Sequence, residues 1–199
     1  DFPALEKSEL REKGGDPIFN LRYLPTLGKA TQETYYLDDN GKQHQGTPPE
    51  GKPEEASPYY EVYDHLLDTA LKAGGATYRI DCSTGMSDDF YCLFQPAGAA
   101  RDDAATLSGR DYYLPGNGYL YTANDDPGHY RKRQKWALDG KAFKEVAQPY
   151  YYLGLDSTYH GNYENKDAPL TLTDDSGKKV ATLKAGDKLT LLLADAGYD

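Results

Sequence analysis

The 199-residue chain has only two cysteines, one methionine and one tryptophan. It also has no apolar run approaching the roughly 20 residues that a membrane-crossing helix needs. A G-x-S-x-G elbow, a glycine-rich phosphate loop, a dinucleotide fingerprint and a paired-histidine zinc spacing are all missing. Serine-hydrolase, nucleotide-dependent and zinc chemistries therefore lack the residues that would carry them, and no motif calls for a cofactor. Basic residues are few as well: 22 Lys and Arg face 32 Asp and Glu, for a formal net charge of -10. Such a chain repels phosphate backbones and anionic lipid, which argues against nucleic acid or a membrane surface as partner. The chain begins with Asp1 and not Met, as it would after removal of a leader peptide.

What the chain does have is tyrosine. Nineteen tyrosines lift the aromatic share to 13%, although hydrophobic residues make up only 38% and the mean hydropathy is -0.80. Tyrosine can bury its ring while its hydroxyl stays hydrogen-bonded, so a β protein can fold with few Leu and Ile. The aromatics concentrate between Asp111 and Leu155, where two hairpins are expected. One turns at Pro115-Gly116-Asn117-Gly118 and the other at Asp139-Gly140. The second loop would set Trp136 opposite Phe143 and Lys135 opposite Lys144, giving one aromatic and one basic face.

Cys82 and Cys92 sit in YRIDCSTGMSDDFYCLF, where alternating flanks surround a turn-like STGMSDD. A disulfide stapling a hairpin follows, and with it an oxidising compartment, periplasmic or secreted. Two buried free thiols are the alternative, and only free thiols would permit a Cys-His enzyme using His65, His129 or His160.

Elsewhere the pattern is less regular. Ala4 to Lys13 reads as a short helix, Ile18 to Leu24 and Thr34 to Leu37 as strands, and residues 46–58 as a Pro/Glu-rich loop. The spacing predicts a helix over about 58–73. Ser57 and Pro58 suit its start, Tyr59, Val62, Tyr63, Leu66, Leu67 and Ala70 recur at three and four residues, and Gly74-Gly75 ends it. Residues Thr77 to Cys82 and Phe90 to Phe94 form the cysteine hairpin, and PAGAARDDAATLSG is read as a loop. The expected fold is mainly β with one clear helix (α+β), a β-rich body over 1–155 followed by a β unit over 156–199.

The last stretch alternates as a meander: Leu170 and Leu172, a DDSG turn, Val180 and Leu183, an AGD turn, then Leu189, Leu191 and Leu193. From about residue 167 to 199 this resembles a bacterial SH3-like (SH3b-type) domain, although the chain stops at Asp199 before the final strands of such a barrel. The resemblance implies an SH3-like unit, incomplete or completed by other strands, in a protein that recognises cell-wall material or peptides.

Ordinary turn chemistry accounts for the acidic loops at Asp38-Asp39-Asn40 and Asp125-Asp126 better than a metal does, because the alternating oxygen spacing of a calcium loop is absent. No catalytic or metal-ligating set is assigned. The expected ligand surface comprises Tyr112, Tyr119, Tyr121, Trp136 and Tyr151, with Arg131, Arg133 and Lys135 as a partner-binding or edge-protecting cluster. The function expected is non-catalytic binding of a peptide, glycan or protein ligand of the cell envelope. A Cys-His or carboxylate-based hydrolase and a structural subunit of a surface assembly are the alternatives.

Overall fold

The structure, a computed structural model, describes residues 4–11, 15–49, 60–84, 90–125 and 131–195, with 124, 125, 131 and 132 described by backbone alone. Among the described residues sixteen strands account for nearly all regular structure. A three-residue 3-10 turn at Arg101–Asp103 is the single helical element among the described residues. The chain divides into two compact units, one of Asp1–Asp125 with Arg133–Ala147, the other built on Gln148–Asp199. The expected boundary after residue 155 lies within a strand of the second unit.

In the first unit, β1 (Glu6–Arg11), β2 (Pro17–Tyr23), β9 (Asp111–Leu114), β10 (Tyr119–Asp125), β11 (Arg131–Asp139) and β12 (Ala142–Glu145) make one six-stranded sheet, in the order β1-β2-β9-β10-β11-β12. β3 (Gly28–Leu37), β4 (Gln43–Gln45), β5 (Glu61–Ala70), β6 (Thr77–Ser83), β7 (Tyr91–Pro96) and β8 (Ala105–Ser108) make the other, in the order β4-β3-β5-β6-β7-β8. The whole second sheet is thus inserted between β2 and β9, which pair in parallel in the first. Phe19, Leu21 and Tyr23 of β2, Tyr112 and Leu114 of β9, and Leu120 of β10 meet Leu66, Leu67, Ile80, Cys82, Cys92, Phe94 and Leu107 in one core. Each such large side chain contributes about 1.5–3 kcal/mol by leaving water.

The helix expected over 58–73 is absent. Residues 61–70 are β5, the second-sheet strand flanked by β3 and β6, and residues 50–59 lie outside the described ones. The reason is a bulge between His65 and Leu67. It lets both Leu66 and Leu67 enter the core, while Tyr63 and His65 are buried on the opposite face. Apolar residues at 62, 63, 66, 67 and 70 then imitate a helical stripe. The freed carbonyl of Leu66 accepts a hydrogen bond from Ser8 Oγ of β1 at 2.8 Å, tying the two sheets together. Of the short helix read at Ala4 to Lys13, residues 6–11 are strand β1 and 12–13 lie outside the described residues, and the small-residue loop after Pro96 contains β8 and the 3-10 turn.

The second unit holds two two-stranded ribbons. β13 (Tyr150–Thr158) pairs with β16 (Lys188–Asp195), and β14 (Leu170–Thr173) with β15 (Lys179–Leu183).

Candidate functional site

The hairpin register decides which aromatic side chains are inside. Tyr113 pairs with Tyr121 and Tyr112 with Thr122. Tyr112 is therefore in the core, fully buried, its hydroxyl placed to donate to the carbonyls of Leu107 (2.7 Å) and Gly109 (3.0 Å). Burial pushes its phenol up from the ordinary tyrosine value. Trp136 also belongs to the core side, where Nε1 donates to Thr122 Oγ1 at 2.9 Å. Tyr151 is buried in the second unit, opposite Ala194. Three of the five expected ligand-binding residues thus leave the exposed surface.

Tyr119 and Tyr121, both half-buried, lie on the face opposite the core. Arg22 of β2, Tyr113 of β9 and Tyr121 of β10 stand in one cross-strand row, and Tyr119 lies two residues along the same face. Lys135 of β11 places Nζ 3.7 Å from the centroid of Tyr119, and the Arg22 guanidinium carbon lies 5.4 Å from that of Tyr113. Arg133, exposed, is two residues from Lys135 and shares its face. The side chain of Arg131 lies outside the described ones.

The β11–β12 hairpin closes at Gly140-Lys141, where Gly140 takes φ 64°, one step beyond the expected loop. Trp136 consequently pairs with Glu145 and Ala137 with Lys144. Because the register moves by two residues, Trp136 and Phe143 still share one face and Lys135 and Lys144 the other. The aromatic pair faces the core, while the basic face is the outer one and carries Tyr119 and Tyr121.

Cys82 and Cys92 face each other across β6 and β7 and form a disulfide. The chain has no other cysteine, so no thiol is available to a Cys-His enzyme.

A second cluster was not foreseen from the sequence. On the face of the second sheet opposite the disulfide, Asp81 Oδ1 lies 2.8 Å from His65 Nδ1 and Oδ2 accepts from the Tyr35 hydroxyl at 2.8 Å. Arg79 Nε contacts both carboxylate oxygens at 3.0 and 2.9 Å. The other ring nitrogen of His65 lies 3.2 Å from Asp68 Oδ2. Arg101 Nη1 donates to the Tyr35 hydroxyl at 2.6 Å, and its guanidinium carbon sits 3.8 Å over the Tyr63 ring, which stacks on Tyr35. Burial pushes the Tyr35 phenol up to about 12, with the neighbouring Asp81 charge acting in the same direction. Burial opposes the charged forms of both His65 and Asp81, yet the carboxylates of Asp81 and Asp68 hold the histidine raised, and His65, Arg79 and the Tyr35 hydroxyl hold Asp81 lowered from its ordinary value. With a carboxylate at each nitrogen, both ring nitrogens of His65 are engaged within the protein. This cluster ties β3, β5 and β6 together through side chains.

A cavity of about 260 Å³ in the first unit is lined by Leu71, Lys72, Tyr78 and Leu138 together with three glycines and Ala76, without a carboxylate. Asp38 spends its Oδ1 on the backbone amides of Asn40 and Lys42 and its Oδ2 on His44, the work of a turn residue. No group of three potential metal ligands occurs among the described residues. No helix among them is long and apolar enough to cross a membrane. No family model, no curated protein and no solved structure matches this chain.

Proposed function

We propose that this protein is a non-catalytic binding protein working outside the cytoplasm, with the outer face of the first sheet as its ligand surface. The observation that carries the proposal is the gathering of Tyr113, Tyr119 and Tyr121 with Arg22, Arg133 and Lys135 on one face of adjoining strands. Rigid rings beside fixed cations are the side chains that peptide, glycan and protein ligands use. The Cys82–Cys92 disulfide supports an oxidising compartment, periplasmic or extracellular. The SH3b-like reading of β14 to β16 remains part of the proposal and points to the same envelope ligands, as analogy from fold.

Arrays of envelope glycans and peptides, probed with wild type and with Tyr119→Ala/Tyr121→Ala, test this reading. Ligands held by wild type and lost by the variant support it. Equal retention by both proteins, or no ligand for either, would overturn it.

A second reading, a subunit of a surface assembly, is favoured by Tyr150, Tyr152, Leu191, Leu192 and Leu193, all exposed in the second unit. A mass that rises with concentration in light scattering would support it, and a constant monomer mass would remove it.

A further inference from the structure

We infer that the ligand of the first-sheet face is an acidic polysaccharide, a sugar chain bearing recurrent carboxylate or sulfate groups. This deepens the ligand-surface reading above and rests on it.

Neutral sugars are gripped by laying their C–H faces on open aromatic rings. Here the protein's own cations occupy that place. Lys135 Nζ is 3.7 Å from the Tyr119 centroid, and the Arg22 guanidinium stands over Tyr113 at 5.4 Å. Each ring acts as a pedestal, holding a cation by its quadrupole and displacing water from one side of it. A cation fixed and partly desolvated in this way attracts an anion more strongly than a freely moving surface lysine does.

The charge pattern points the same way. Several surface cations of this unit are ion-paired, Lys7 and Arg11 with Glu9, Lys141 with Asp103 and Lys144 with Asp139. Arg22 and Lys135, like Lys29, Lys42 and Lys72, have no ion-pair partner among the described residues, and of these five Arg22 and Lys135 are the two held over a ring. β2 and β11 are three strand spacings apart, about 14 Å, and Arg133 lies roughly 7 Å along β11 from Lys135. Cations so dispersed match a chain of repeated anions better than one carboxylate.

The position in the sheet favours sugar over peptide. These residues lie on strands flanked by β1 and β12, so their backbone groups are committed to the sheet ladders and no edge is offered for an added strand. Recognition there is by side chains alone. The phenol hydroxyl of Tyr119 suits a ligand that carries hydroxyls between its charges.

Fluorescein-labelled polygalacturonate, titrated into the full chain and followed by anisotropy, tests the inference. Dextran, poly-L-glutamate and a single-stranded oligonucleotide serve as rival probes. Polygalacturonate is expected to bind best, and to weaken about tenfold in Arg22→Gln/Lys135→Gln and on raising the salt. Both positions are on the surface, and an unchanged urea midpoint will show the variant folded. Dextran bound as well as polygalacturonate, with no effect of the substitutions, would overturn the inference and leave the ligand surface standing. Tighter poly-L-glutamate or oligonucleotide binding would overturn it in favour of that class. If no probe binds while the arrays yield a Tyr119-dependent ligand, the inference alone fails; if neither yields a ligand, both fail.

Discussion

A buried histidine with a carboxylate at each ring nitrogen makes stability depend on pH in a direction that can be worked out. His65 is raised in the folded chain, so its contribution is complete below the unfolded value of about 6.5 and is lost as pH rises through the folded one. Asp81 is lowered, so its contribution is complete above about 3.9 and is lost as pH falls towards its folded value. The difference in urea stability between wild type and His65→Gln should therefore be greatest near pH 5–6 and shrink on the alkaline side. A difference independent of pH would contradict a His65 raised by its two carboxylate neighbours. Asp81→Asn should cost about 3 kcal/mol at neutral pH, because it leaves His65 and Arg79 facing a neutral amide. None of this was legible in the sequence. Tyr35, His65, Arg79, Asp81 and Arg101 are spread over four elements, and no local spacing joins them.

At the scale of single elements, the disulfide sits in the centre of the second sheet, with Cys82 and Cys92 fully buried beside Phe94 and Leu107. Closing the short loop between them constrains the unfolded chain, so Cys82→Ala/Cys92→Ala should lose about 2–3 kcal/mol, read as a lower urea midpoint at constant slope. Gly28 begins β3, where an added Cβ would come within 2.7 Å of Thr69 Oγ1 and 2.9 Å of a Tyr23 ring carbon. Gly28→Ala should therefore destabilise by about 1–3 kcal/mol in the same assay. Local signals made the cysteine hairpin and the Asn117 and Gly140 turns readable, since turn residues and alternation fix them within a dozen residues. Strand β5 was not readable, because its bulge and its burial on both faces erased the two-residue period and left a helical one. The ligand surface was half readable. Lys135, Tyr119 and Tyr121 follow from hairpin alternation, and the same alternation, carried through the Pro115–Gly118 turn, selects Tyr113 over Tyr112. Arg22 arrives only through the parallel β2–β9 pairing, across some ninety residues that no pattern bridges.

Across the whole molecule, stability should be uneven. In the first unit β5, β6 and β7 pair in the middle of a six-stranded sheet, and their Leu66, Leu67, Ile80, Cys82, Cys92 and Phe94 are shut off from solvent. Their amides can exchange only when the unit unfolds as a whole. In the second unit the ribbons have two strands each, and Tyr151 and Ala194 are the buried apolar residues among those described, while Val180, Leu192 and Leu193 are more than half exposed. Two-stranded ribbons without a covered face are marginal alone, so opening β14 from β15 should require little free energy. Hydrogen–deuterium exchange with peptide resolution should find 170–183 exchanging orders of magnitude faster than 61–83, at a rate that low urea barely changes. Exchange from 61–83 should rise steeply with urea, because global unfolding exposes the core. Equal protection of the two segments would mean that something covers the second unit's exposed leucines in solution, and it would move the balance towards the assembly-subunit reading.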